Sequence, residues 1–140
     1  MNYEETFDKS YKRVMSTSRH STSFFDAFYD RFIKSSPIVA QHFSNTDMER
    51  QKTMLKKSFY SLFAFYATNI SDDYIEKIAD RHGKKELNIE LDLYDLWLEN
   101  LIDTVRDYDP DFNKEIELAW RLVLSAGITY MKFRHAANNQ

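Results

Sequence analysis

Cysteine is absent from the 140 residues, and glycine and proline occur only twice each. Without thiols the chain has no disulfide and no thiolate metal site, which fits a reducing compartment. With so few breakers, the frequent tight turns of an all-β fold are disfavoured and long helices are favoured. No stretch approaches the roughly 18 consecutive apolar residues of a membrane span. The opening MNYEETFDKSYKRV carries charges of both signs and no apolar run, so it does not read as a secretory signal. The expected location is the cytoplasm. A net charge of -3, with basic residues spread along the chain, indicates no nucleic-acid footprint.

Familiar catalytic patterns are also missing. The four histidines, at positions 20, 42, 82 and 135, include no HxxxH or HExxH pair, which argues against a mononuclear zinc hydrolase. No pair of ExxH elements is present to hold two irons in a helical bundle. Two isolated glycines cannot form a phosphate-binding loop, and no serine sits in a nucleophile elbow.

What the chain has in excess is aromatic side chains, 11 Phe and 9 Tyr, more than a minimal helical bundle requires. They fall at helical spacing. Phe7, Tyr11 and Val14 mark a first amphipathic helix over about 2–15. Ser16 to Ser23 reads as a turn ending in capping residues, before a second helix with Phe24, Phe25, Phe28, Tyr29, Phe32 and Ile33. Ser35-Ser36-Pro37 ends that helix, and Pro37 opens a short one through Ile38, Val39 and Phe43. Thr46 and Glu49 have capping-box spacing and mark a long helix from near Asp47 to Thr68-Asn69, with Met48, Gln51, Leu55, Phe59, Leu62, Phe63 and Tyr66 along one broad side.

Ser71 is the expected cap of the next helix. There Tyr74, Ile78 and His82 fall at i, i+4 and i+8 and share one face. Asn88 is the expected cap of a helix whose stripe is Leu91, Tyr94, Leu98, Leu101 and Val105. Asp109-Pro110 reads as a cap and first turn, opening a last helix with Phe112, Ile116, Ala119, Trp120, Val123, Gly127 and Met131. The sum is one all-α domain over 1–140, six long helices plus a short one, with no convincing strand.

A histidine closing an apolar stripe has two readings. It is a core or boundary residue satisfied by its neighbours, or an imidazole aimed into a pocket as a metal or cofactor ligand. A flat apolar cofactor would account for both the lone histidine and the aromatic surplus. Haem is such a group, bound non-covalently here because a CxxCH attachment motif is impossible.

The run FYDRFIKSSPIVAQHF, from Phe28 to Phe43, resembles the globin family, specifically the short bacterial single-domain globins related to the globin domain of flavohaemoglobins. QKTML, IADRHGKK and AWRLVLSAGITYM extend the likeness to nearly the whole chain. The resemblance implies a globin fold around haem b. It makes His82 the iron ligand, Tyr29 the distal tyrosine, Phe43 the phenylalanine on the ring, and Gln51 and Leu55 the distal polar and apolar residues. Phe59, Ile78 and Leu98 are the expected further lining, with Tyr94 the candidate that tunes His82. Two departures stand out. The segment between Phe43 and Gln51 is short, so a one-residue slip would bring Arg50 or Lys52 nearer the ligand. The glutamate that tunes the histidine in flavohaemoglobin-type globins aligns with His135. Arg81 and Lys85 flank His82 as surface charges or as partners of haem propionates, and His20 and His42 read as structural or surface residues.

The implied function is reversible binding of O2 or another diatomic ligand, in carriage, storage or sensing, by a monomer or homodimer. One alternative is nitric oxide oxidation served by a separate reductase, since no flavin or nicotinamide domain is attached. Another is a haem-free signalling or interaction module.

Overall fold

The computed structural model describes residues 2–83 and 90–138. Helix α1 (Tyr3–Ser16) leads through a two-residue hairpin, β1 (Ser18–Arg19) and β2 (Thr22–Ser23), into α2 (Phe24–Ser35) and the short α3 (Pro37–His42). Then follow α4 (Met48–Thr68), α5 (Asp73–Gly83), α6 (Leu91–Tyr108) and α7 (Lys114–Asn138). Among the described residues this is the expected set of six long helices and a short one. No helix among them is long and apolar enough to cross a membrane.

The hairpin is the unexpected element. Ser18 pairs with Ser23 and Arg19 with Thr22, across a turn in which His20 and Ser21 both have positive φ, 52° and 62°. Tight hairpin turns of this handedness normally carry Asn or Gly. Ser16 to Ser23 lacks both, so the local signal was missing.

Helix ends follow the chemistry of their caps, with some shifts. Asn2 accepts from the Glu5 amide, and Ser36 from the Ile38 amide beside Pro37. At α4 the cap is Asp47, which accepts from the Arg50 amide, not Thr46 one residue earlier. Asn69, at φ 59°, closes the same helix in the left-handed conformation. At α5 the cap is Asp72 rather than Ser71: its Oδ1 accepts from the Ile75 amide at 2.7 Å, and Ser71 donates to Glu76 instead. Asn88 lies outside the described residues. Asp109 caps the C-terminus of α6, and Asn113 accepts from the Ile116 amide at the start of α7. The Asp109-Pro110 boundary therefore marks where α6 stops. The last helix starts four residues later than the sequence suggests, leaving Phe112 in the connection.

Helix α7 is the spine, packing against α1, α4, α5 and α6, while α2 packs on α6. Its residues Ala119, Trp120, Val123 and Leu124 are fully buried. Gly127 lets α4 come close: a Cβ there would lie 2.1 Å from Leu62 Cδ2. Aromatic rings fill the junction of α1, α2, α4 and α7. Trp120 meets Phe7 edge-on at 4.7 Å between ring centres, and Phe24 and Phe59 at 6.2 Å. Because α6 lies between α2 and α7, it buries more than one stripe. Tyr94, Leu101 and Val105 are buried as expected and Leu93, Ile102 and Tyr108 join them, but Leu91 is exposed and Leu98 half-buried.

One buried polar cluster ties the ends of the chain together. Trp120 Nε1 donates to Ser10 Oγ at 2.8 Å, and Ser10 Oγ donates to Asp109 Oδ2 at 2.5 Å. Arg13 grips both oxygens of the same carboxylate, at 2.7 and 2.9 Å. Burial raises the Asp109 pKa, but hydrogen bonds from Arg13, Ser10 and the Asp111 amide outweigh it and hold the carboxyl below its ordinary value.

Candidate ligand-binding cavity

Helices α2 to α7 enclose a cavity of about 290 Å³. Its α5 wall explains the histidine stripe. Ile75 and Ala79 form the fully buried line of α5, which packs on α7. The neighbouring line, Ile78 and His82, is half-buried and faces the cavity. Tyr74 begins the same line but turns away from the cavity, donating its hydroxyl to the Met54 carbonyl at 3.1 Å and so tying α5 to α4.

On the α5–α6 side, Tyr94 Oη stands 3.5 Å from His82 Nδ1. Burial pushes the Tyr94 phenol up to about 12, so it stays neutral near pH 7. If Nδ1–H donates to that oxygen, the Nε2 lone pair is the one that can coordinate a metal; this tautomer choice is how a neighbour tunes a histidine ligand. His135, aligned with the family's glutamate, has a side chain outside the described set.

On the α2–α4 side, Tyr29 is buried beside Phe43, whose ring stands at 5.6 Å in an edge-on arrangement. Gln51 Nε2 donates to Tyr29 Oη at 3.2 Å. Burial pushes the Tyr29 phenol well above its ordinary range, with the Gln51 hydrogen bond opposing. The hydroxyl therefore keeps its proton, and because its oxygen already accepts from Gln51, that proton is left to donate. The register of α4 is plain: Gln51 lines the cavity, whereas Arg50 is exposed and Lys52 pairs with Asp26 and Glu49 at the surface.

Of the residues expected here, Tyr29, Phe43, Gln51, Leu55, Ile78, His82 and Tyr94 line the cavity. Phe59 and Leu98 do not. Phe59 points one helical face away, into the aromatic junction against Tyr11 and Trp120, and Leu98 is rotated out of the wall that Trp97 occupies. Phe32, Met54 and Trp97 line the cavity without having been expected. Each lies three residues after an expected one (Tyr29, Gln51 and Tyr94), so helical periodicity held the signal. His42 and Arg81 reach the cavity from exposed positions, and Lys85 lies outside the described residues.

Among solved structures, the crystal structure of protein PA3967 from Pseudomonas aeruginosa PAO1 superposes with a TM-score of 0.87 at 34% sequence identity, over 96% of this chain and 98% of that one. PA3967 is described as structurally highly homologous to a human haemoglobin. The chain belongs to the globin family. Its helical arrangement fits a single-domain bacterial globin. No family model matches this globin, and no curated protein does. The resemblance read from Phe28 to Phe43 thus holds at the level of fold and family.

Proposed function

We propose that this globin binds haem b in the cavity, where His82 would hold the iron, and takes up O2 or another diatomic ligand reversibly on the Tyr29 side. The observation that carries the reading is the sharing of one apolar cavity by His82 and by the Tyr29–Gln51 pair. The donor chemistry fits the group. Among the described residues no cluster of three or more His, Cys, Asp or Glu could hold a bare metal ion. A single neutral imidazole suffices only for a metal whose remaining ligands come from its own macrocycle. Val39, Leu55, Leu62, Ile78 and Ile128 supply the apolar walls such a ring requires.

Haem supplies the iron at which a diatomic ligand coordinates. The chain's own residues do the rest. His82 would hold the iron through Nε2, with Tyr94 Oη, 3.5 Å from Nδ1, orienting the imidazole. Gln51 holds the Tyr29 oxygen so that the phenolic proton is directed to the guest, a donor already in place when the ligand arrives. Phe43 packs edge-on against Tyr29, and Phe32 against Phe43, so aromatic rings flank the tyrosine of the polar pair.

Reconstitution with haem tests the reading. The purified protein is expected to show the Soret band of a histidine-ligated haem, and His82→Ala to lose that spectrum along with stable retention. A native spectrum in His82→Ala would refute the ligand, and no Soret band after reconstitution would favour a haem-free module.

A further inference from the structure

The arginines fall into two groups. Arg13, Arg31, Arg106, Arg121 and Arg134 each hold a carboxylate, and Arg19 donates to the Asp107 carbonyl. Arg50 and Arg81 have no hydrogen-bond or ion-pair partner among the described residues, and both stand beside the cavity. Arg81 lines it from an exposed position, and exposed Arg50 immediately precedes the cavity residue Gln51. Lysines of the same two helices extend the pattern. Lys56 and Lys77 are exposed with no acidic partner among the described residues, and Lys57 rests on the Tyr74 ring at 4.8 Å. Tyr74 in turn donates to the Met54 carbonyl, so Lys57 lies at the seam of α4 and α5. Lys77 and Arg81, one turn apart, continue along α5.

The acids of these helices are mostly engaged. Glu49 holds Lys52, Glu76 accepts from Ser71, and Asp80 holds Arg134, while exposed Asp73 lies at the other end of α5 from Arg81. Among the described lysines and arginines, only Lys114, at the start of α7, is similarly free of an acceptor. Helix α6 is the opposite case, with Asp92, Asp95, Glu99, Asp103 and Asp107 against Arg106 alone. A chain of net charge -3 thus gathers its free cations at one edge of the cavity.

We infer that this face docks an acidic one-electron carrier protein that returns the haem iron from ferric to ferrous. The inference rests on the haem reading. One electron leaves the carrier and enters the iron, no bond forms or breaks, and the carrier departs oxidised by one electron. A small anion would need these cations turned to one point. They are instead spread over about 10 Å of α4, from Arg50 to Lys57, and over a further turn of α5, which is the scale of a protein surface. Arg81 and His42 are placed to meet haem carboxylates, but Arg50, Lys56 and Lys77 do not line the cavity. Electron carriers make small, polar, short-lived contacts, for which charge matters more than an apolar patch. Opposite charge speeds and orients the encounter, and the acidic α6 turns the same partner away from the wrong face.

The test mixes the ferric haem protein with a reduced, strongly acidic two-iron, two-sulphur ferredoxin under carbon monoxide, and the Soret shift gives the reduction rate. That rate is expected to fall roughly tenfold between about 10 mM and about 0.3 M salt. Arg50→Glu, Lys56→Glu and Lys77→Glu should each slow it severalfold at low salt and flatten its salt dependence, whereas Lys114→Glu should not. Photogenerated deazaflavin semiquinone, a small neutral reductant, should reduce all of these proteins alike. Titration calorimetry with oxidised ferredoxin reads the contact without electron transfer, and the three reversals should weaken it in parallel. A salt-independent rate, or equal slowing by Lys114→Glu, would overturn the inference. So would reversals that strip haem while leaving the rate intact, since these cations would then serve the haem carboxylates. A normal Soret band with a salt-independent rate overturns this inference alone, whereas no Soret band after reconstitution overturns the haem reading and this inference with it.

Discussion

At the scale of single residues, the direction of one hydrogen bond decides what Tyr29 can do. An amide N–H only donates, so Gln51 Nε2 occupies the phenol oxygen of Tyr29 and leaves its proton for a guest. A neutral hydrogen bond of this kind is worth about 1 kcal/mol, or roughly fivefold in a rate. Tyr29→Phe is accordingly expected to raise the oxygen dissociation rate about fivefold. Stopped-flow displacement of O2 by CO measures it, and an unchanged rate would remove Tyr29 from the proposed role. The residue types at 29, 51 and 82 were visible in the sequence. The Gln51–Tyr29 bond was not, because 22 residues and the α3 bend separate its partners.

Between elements, α4 and α7 approach closely at Gly127. Leu62 fills the space a side chain at 127 would need, and Leu62 also lines the cavity. Gly127→Ala must therefore push the Leu62 methyl aside, into volume the proposed ring occupies. The overpacking costs about 1–3 kcal/mol, and the better helix propensity of Ala offsets roughly 1 kcal/mol of it, so a net loss of up to about 2 kcal/mol is expected. Urea titration of the apo-protein measures that loss, and transfer of haem to an excess of acceptor globin should speed up in parallel. Loss of stability with unaltered haem transfer would show that Leu62 relaxes away from the cavity. Helical spacing placed Gly127 on the core stripe of the last helix, but which neighbour it admits is a property of the packed pair. The same holds for Phe59 and Leu98. Periodicity marks both as buried-side residues, and only the approach of α7 to α4 and of α2 to α6 decides that Phe59 joins the aromatic junction and Leu98 stays off the cavity wall.

For the whole molecule, Asp109 links α1, the α6–α7 connection and Trp120 through one buried carboxylate. Its pKa lies below the ordinary 3.8, so this contribution is fully present above about pH 4 and fades as pH falls through the depressed folded value. Asp109→Asn would leave Arg13 and Ser10 without their anion. The expected cost is about 3 kcal/mol, the low end for a broken buried pair because Arg13 keeps partial access to water. Urea midpoints at pH 7 should show that loss, and the variant should lose less further stability than the parent protein between pH 4 and pH 2. Parallel acid limbs would mean that other carboxylates govern acid unfolding.

The sequence by itself determined the helical class, the order and approximate lengths of the helices, and the likeness carried from Phe28 to Phe43 and by IADRHGKK. These follow from local spacing, from caps such as Asn2 and Ser36, and from the scarcity of glycine and proline, all of which act within a few residues. Tertiary structure decided the rest. It set the hairpin turn at His20-Ser21, held in a backbone conformation its residues do not advertise, and the role of Asp109, whose partners lie 96 and 99 residues away. It also decided how α5 is buried. Ile75 and Ile78 are equally apolar as letters and both line the cavity, but only the position of α7 buries Ile75 fully while Ile78 and His82 stay half-buried.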